Sequence, residues 1–165
     1  MISEKLKPFG ETIFAEMTRL AQEAGAINLA QGFPDFLGPQ EVIDAAVEAI
    51  RGPEQQYART QGHLKLVGAV ARERAGRGLN YDPLREVAVF AGATEGIAAA
   101  LIGLLNPGDE VILFEPFYDS YPACVAMAHA VPRFYTLRFP DMAIDASRHN
   151  AVVNGRTRPT LDKSQ

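Results

Sequence analysis

Small residues between a strand and a helix can bind an anion, and Ala91-Gly92-Ala93-Thr94 stands in such a place. The apolar run at residues 87–90 predicts a short strand. Residues 94–105, rich in Ala, Leu and Ile, predict a helix. A helix N-terminus presents backbone N–H groups without intrahelical partners and the positive end of the macrodipole. Residues as small as Gly92 and Ala93 let an anion reach those groups, which makes the turn a candidate phosphate cup. The same residues fit an ordinary tight turn with Thr94 as N-cap. Spacing alone leaves both readings open.

A second segment is Glu115-Pro116-Phe117-Tyr118-Asp119-Ser120-Tyr121-Pro122. It follows a predicted strand at 110–115, and open α/β sheets bind ligands at the C-terminal ends of their strands. Its aromatic residues could give a flat ligand a face to stack on, or could be packing residues. Two loops complete the set. One is Gln31-Gly32-Phe33-Pro34-Asp35-Phe36, and the other runs from Gln56-Tyr57 to Gly62. Taken alone, each is a loop with a turn, and Tyr57 fits a packed surface aromatic as well as a ligand contact.

The elements that must position these residues follow from periodicity. Ile13, Met17 and Leu20 have helical spacing over 12–24, and Gly25 can end that helix. Pro39 suits a first helical position, ahead of an apolar face of Val42, Ile43, Ala46, Val47 and Ile50. Residues 62–77 predict a helix with Leu64, Val67, Val70 and Ala71 inward, stopped by Gly76 and Gly78. After the turn Asn106-Pro107-Gly108-Asp109 come strand 110–115, a helix at 118–129 and a strand at 131–137. Strands and helices alternating through short turns predict an α/β fold, a parallel sheet covered on both faces. The nearly all-apolar stretch 97–105 is expected to be heavily buried in it.

Composition narrows the function classes. A chain of 165 residues suits one compact domain. A net charge of -4 argues against a nucleic-acid footprint, and the cluster Arg72, Arg74 and Arg77, interleaved with Glu73, reads as a solvated helix face. Cys124 is the sole cysteine, so neither an intrachain disulfide nor a cysteine-based zinc site is available. No apolar run is long enough to span a bilayer, and residues 1–7 do not lead into a secretory signal. These features lead to the expectation of a soluble, cytoplasmic protein without nucleic-acid or membrane partners.

Order and spacing together are more specific than any single piece. Asn28-Leu29-Ala30-Gln31-Gly32-Phe33-Pro34-Asp35-Phe36, then Gln56-Tyr57, Gly92-Ala93-Thr94-Glu95, Asn106-Pro107-Gly108-Asp109-Glu110-Val111 and Glu115-Pro116-Phe117-Tyr118-Asp119-Ser120-Tyr121 follow in that order. The series resembles the class I/II aminotransferases of pyridoxal-phosphate (PLP) fold type I. Nearest in pattern is the branch of kynurenine, cysteine-conjugate, methionine and succinyldiaminopimelate aminotransferases. The resemblance runs from about Leu6 to Arg158. It implies a homodimeric enzyme that moves an amino group between an amino acid and a 2-oxo acid. It implies that Gly92, Ala93 and Thr94 cup the PLP phosphate and that Tyr118 stacks on the pyridine ring. Tyr57 would reach the cofactor phosphate of the partner subunit, and Gly32 would line the substrate site near the substrate carboxylate.

The expected organisation is an N-terminal arm and substrate-site loop at 1–38, an incomplete PLP-binding large domain at 39–155, and a disordered tail at 156–165. There are departures from the family pattern. Leu66-Val67 replaces a usual Leu-Arg pair and is followed by Gly68, and Ala91 stands where a polar residue is common. The family also needs a Schiff-base lysine, a carboxylate for the pyridinium nitrogen, an asparagine for the ring hydroxyl and an arginine for the substrate carboxylate. All four lie beyond the matched region. Lys5, Lys7, Lys65 and Lys163 do not stand in the family's lysine context, so no catalytic residue is assigned. The chain therefore reads as a C-terminally truncated large domain, inactive alone and marginally stable. A non-catalytic phosphate- or PLP-binding fragment, or one pairing with a full-length homologue, is the alternative.

Overall fold

The computed structural model describes residues 2–32, 34–53, 56–145, 153–155 and 157. The expected tail at 156–165, apart from Thr157, and with it Lys163, lies outside the described residues, as does Phe33. The chain packs as two compact units, one of Met1–Glu16 with Ala91–Gln165 and the other of Met17–Phe90.

The helices are α1 (Ile13–Glu23), α2 (Gln40–Arg51), α3 (Leu64–Ala75), α4 (Ala93–Leu104) and α5 (Ser120–Met127). The strands are β1 (Glu110–Glu115) and β2 (Val131–Thr136), and a short 3-10 turn covers Glu4–Leu6. β1 and β2 pair in parallel from Glu110 opposite Val131 to Glu115 opposite Thr136, and α5 makes the crossover that a parallel pair requires. A further parallel bridge joins Glu110 to Thr157.

The core of the first unit lies between this sheet and its helices. Leu101 of α4, Val111 and Leu113 of β1, and Cys124, Val125, Ala128 and Ala130 at α5 and its end form one buried cluster. Val125 is 0% and Cys124 1% exposed. A valine so enclosed contributes about 1.5–3 kcal/mol relative to an exposed one. Burial also pushes the Cys124 thiol above its ordinary pKa, because a thiolate there would lose its hydration.

A charged residue opens β1. Glu110 is buried, and its carboxylate accepts from the Arg133 guanidinium at 2.6 Å and from Asn154 Nδ2 at 2.6 Å. The hydrogen bond and then the Coulomb attraction of Glu110 raise the Arg133 pKa from its ordinary value. Arg133 comes from β2 and Asn154 from the segment before Thr157, so one carboxylate gathers three pieces of chain.

The second unit turns on Gly62. This buried residue has φ +116°, and a Cβ placed on it would lie 2.7 Å from Val89 Cγ2 and 3.3 Å from Val67 Cγ1. Glycine therefore lets the 87–90 segment lie against the start of α3, where the Val89 N–H donates to Gln61 O at 2.9 Å. Val67 is fully buried beneath it. α3 ends in a Schellman pattern. Gly78 donates to Ala75 O and Leu79 to Arg74 O, with Gly78 at φ +82°. Gly25 closes α1 in the same way, with φ +61°.

Four expectations need correction. Residues 87–90 form no strand, because their amide bond goes to a loop carbonyl and not to a neighbouring strand. Leu64 is exposed, since only Val67 and Ala71 of α3 turn to the interior. The 97–105 stretch is buried on one side alone: Leu101 points into the core while Ile102 and Leu104 face outward, because only one side of α4 meets the core. α1 and α2 form with their apolar stripes as spaced, yet neither holds a buried residue. A stripe selects the helix, but burial needs a facing surface.

Substitutions at two glycines should have opposite signs in urea unfolding of the chain. Gly62→Ala places a methyl against Val89 at a left-handed φ and should cost about 2–4 kcal/mol. Gly68, inside α3, has only Arg72 Nη1 at 3.4 Å from a built Cβ, so Gly68→Ala should gain about 0.5–1 kcal/mol. The raised Cys124 pKa predicts a pH dependence as well. Between the unfolded and folded thiol values the unfolded chain holds fewer protons, so stability falls as pH rises above about 8.5. Cys124→Ala should show a shallower decline than the parent between about pH 8.5 and 10 in the same experiment.

Candidate functional site

The site begins at Gly92. Its backbone, φ 99° and ψ 162°, lies in a region open almost only to glycine, and it is the N-cap of α4. Thr94 is therefore not the N-cap; it is the second residue of the helix. Glycine was favoured because the chain turns too sharply at this point for a residue with a Cβ, a constraint that a Ser/Thr capping rule does not carry. A Cβ built on Gly92 meets nothing within 4 Å, so the restriction is one of conformation and the space beside it is open.

No side chain caps α4, and its first turn is exposed. The Glu95 carboxylate instead reaches back past the N-cap to accept the N–H of Ala91, the residue before it. The Gly96 N–H closes the first turn on Gly92 O. The amides of Ala93, Thr94 and Glu95 thus lack intrahelical acceptors by the geometry of any helix start. They lie where an anion would gain from the macrodipole.

Tyr118 belongs to the same unit. It precedes α5, just past the C-terminal end of β1, with its residue 48% exposed. Its ring lies 6.0 Å from Phe14 at 39° and 5.9 Å from Tyr121 at 65°, an arrangement of tilted and edge contacts that fixes the ring while leaving part of its surface open. Near the start of each helix, Ile97 of α4 and Tyr121 of α5 pack against the common core cluster. The turn Asn106-Pro107-Gly108-Asp109 links α4 to β1, and α4 packs against α5, the helix that Tyr118 precedes. Beside Tyr118, Asp119 Oδ2 and Ser120 Oγ are buried without a hydrogen-bond partner among the described residues. Asp119 holds the N-cap position of α5 but has helical φ and ψ, and its side chain makes no cap bond.

Gly92, Ala93, Thr94 and Tyr118 all fall in this unit. Tyr57 and Gly32 fall in the other unit, Tyr57 wholly solvent-exposed and Gly32 exposed in a loop with nothing within 4 Å of a built Cβ. Phe14, Glu95 and the Asp119–Ser120 pair were not among the expected site residues. The Glu95 contact could be found from its spacing to the turn. Phe14 could not, because it meets Tyr118 across more than a hundred residues and stands beside the apolar stripe of α1. No group of three or more acidic, His or Cys side chains among the described residues could hold a metal ion, and no described helix is long and apolar enough to cross a membrane.

The parallel strand pair with its crossover helix and the helix before it take the fold of the fold type I aminotransferases. The chain belongs to that family: the model for "Aminotransferase class I and II" matches residues 24–154. The chain is similar to the solved structure of N-succinyldiaminopimelate aminotransferase from Mycobacterium tuberculosis, with 46% identity and a TM-score of 0.89. That match covers 97% of this chain and 42% of the other. It is 38% identical over 156 residues to the methionine aminotransferase of Escherichia coli, covering 93% of this chain and 40% of the relative. It is 36% identical over 130 residues to the human kynurenine–oxoglutarate transaminase 1, covering 76% and 30%. The chain spans about two fifths of the length of the relatives it matches best here.

The glycine turn should be the least tolerant point of the candidate site. Gly92→Ala should lower stability by about 1–3 kcal/mol through backbone strain alone, since no atom obstructs the methyl. Thermal unfolding followed by circular dichroism checks this.

Proposed function

We propose that this chain is the part of a PLP-dependent aminotransferase that holds the cofactor phosphate, and that the whole protein exchanges an amino group between an amino acid and a 2-oxo acid. The observation that carries the reading is the exposed helix start at Gly92, held in a glycine-only turn in the same unit as the half-exposed Tyr118. The residues fit the cofactor: the turn leaves open space beside a set of helix-terminal amides, and the Tyr118 ring has an accessible surface.

In this reading the amides of Ala93 and Thr94, with the Thr94 hydroxyl, hold the phosphate, and Gly92 lets it approach. Glu95 takes the Ala91 amide and fixes the turn. Its charge lies near the incoming anion, so the amides must supply the attraction. Tyr118, steadied by Phe14 and Tyr121, gives the pyridine ring a flat contact. When bound, the cofactor supplies an electron sink for carbanion chemistry at the amino-acid Cα. Tyr57 and Gly32 keep the roles that the resemblance implies, Tyr57 at the phosphate of a partner subunit in a homodimer and Gly32 near the substrate carboxylate. The domain limits of 1–38 and 39–155 and a cytoplasmic setting belong to the same proposal. The buried Cys124 thiol agrees with a reducing compartment. None of Lys5, Lys7, Lys65 and Lys163 is assigned to catalysis.

The test is PLP binding by the purified chain, read by quenching of tyrosine fluorescence, with inorganic phosphate as competitor. The expected result is weak binding that phosphate displaces and that Gly92→Val and Tyr118→Ala each weaken by about tenfold or more, equivalent to about 1.4 kcal/mol. Binding that neither substitution nor phosphate alters would overturn the assignment of the cup. Borohydride reduction followed by intact mass should give scattered partial labelling. A single stoichiometric lysine adduct would overturn the reading that none of Lys5, Lys7, Lys65 and Lys163 is catalytic.

A further inference from the structure

Gly92 permits the turn before α4, but permission is not selection. Glycine populates left- and right-handed backbone about equally and loses more freedom on ordering than any other residue. Its φ of 99° and ψ of 162° are therefore one choice among several that the chain could make there. No N-cap side chain makes the choice. Packing does not make it either, since a Cβ built on Gly92 meets nothing within 4 Å. The backbone bond that closes the first turn, from the Gly96 N–H to Gly92 O, is long at 3.4 Å.

One contact remains. The Glu95 carboxylate accepts the Ala91 N–H, and among the described residues it is the only side-chain hydrogen bond to residues 91–94. It is charge-assisted, the stronger kind of hydrogen bond. It runs from the amide ahead of Gly92 to the third residue of α4, so it closes a ring around Gly92, Ala93 and Thr94. Those are the residues assigned to the phosphate. The Ala91 amide is committed to this ring and is not one of the donors left for an anion.

Resting on the phosphate-cup reading above, we propose that Glu95 is the positioning residue of the cup: its carboxylate locks the Ala91–Gly92 turn before the anion arrives, and its charge at the same time weakens the grip on that anion. The two effects oppose each other within one side chain. As an acceptor, Glu95 settles in advance an ordering cost that the anion would otherwise meet on binding. As a charge, it shares the positive end of α4 with the incoming phosphate. Chemistry can separate them, because the side-chain oxygen of Gln accepts an N–H without carrying a charge. Glu95 is exposed, and Gln and Ala both favour helix, so either substitution leaves α4 formed.

The test compares Glu95→Gln with Glu95→Ala in the full chain. Both lack the charge and only Gln keeps the acceptor, so a difference between them reports positioning. PLP binding is read by tyrosine fluorescence, with inorganic phosphate as competitor. Glu95→Gln should bind about two- to fivefold tighter than the parent. Glu95→Ala should bind about threefold or more weakly than Glu95→Gln. Equal affinity in the two variants would overturn the positioning role, and Glu95→Gln no tighter than the parent would overturn the opposing charge. A second measurement needs no ligand. The 15N heteronuclear NOE of residues 91–93 should be alike in the parent and Glu95→Gln and should fall in Glu95→Ala; no fall would overturn the lock. A parent that binds neither PLP nor phosphate would overturn the cup reading itself, and the NOE comparison then decides separately whether Glu95 holds the turn.

Discussion

The first unit depends on the parallel pairing of β1 with β2. Parallel neighbours cannot be joined by a tight turn, so the chain must leave the sheet, cross it and return. α5 is that crossing, and it is only eight residues long. A helix so short has little intrinsic stability, and it is held by Cys124 and Val125, which face the sheet and are almost fully enclosed. The ladder, the crossover and the core are therefore a single cooperative arrangement. Tyr118 takes its position from that arrangement, between the end of β1 and the start of α5, with Phe14 against its ring.

Order along the chain made the site legible more than any one motif did. β1 could be read to the residue, because a turn bounds its apolar run on one side and Pro116 on the other. The equally apolar 87–90 segment was misread for a physical reason: a strand belongs to two segments at once, and the amide of Val89 is taken by a loop carbonyl. The stripes of α1 and α2 announced helices correctly but said nothing of whether a surface would cover them. Within the candidate site, the small residues around Gly92 and the aromatic Tyr118 stood out by type and place. The shift of the cap from Thr94 to Gly92 depended on a backbone angle, and the Phe14 contact on long-range packing. Neither leaves a local trace.

The two units solve similar packing problems differently. In the second, a missing side chain is the essential element: Gly62 allows the 87–90 segment to lie against Val67, and the segment needs no ladder to stay there. In the first, a left-handed turn at His129 ends the crossover helix, and its imidazole meets Lys5. Both positions join elements distant in sequence, and in both the backbone conformation, more than the side-chain chemistry, decides what can be placed there. The candidate phosphate cup at Gly92 is a third instance, in which a backbone angle creates open space beside a helix start.

Glu110 adds a constraint on the order of assembly. Its partners lie 23 and 44 residues further along the chain, Arg133 and then Asn154. A polypeptide emerging N-terminal end first exposes β1 before either partner has been made. Until Arg133 arrives, enclosing Glu110 would strand an uncompensated carboxylate in the core, so β1 stays hydrated at its first residue. Closure of the strand's start therefore depends on β2, whose Arg133 faces the carboxylate, and Asn154 adds a second contact from further along the chain.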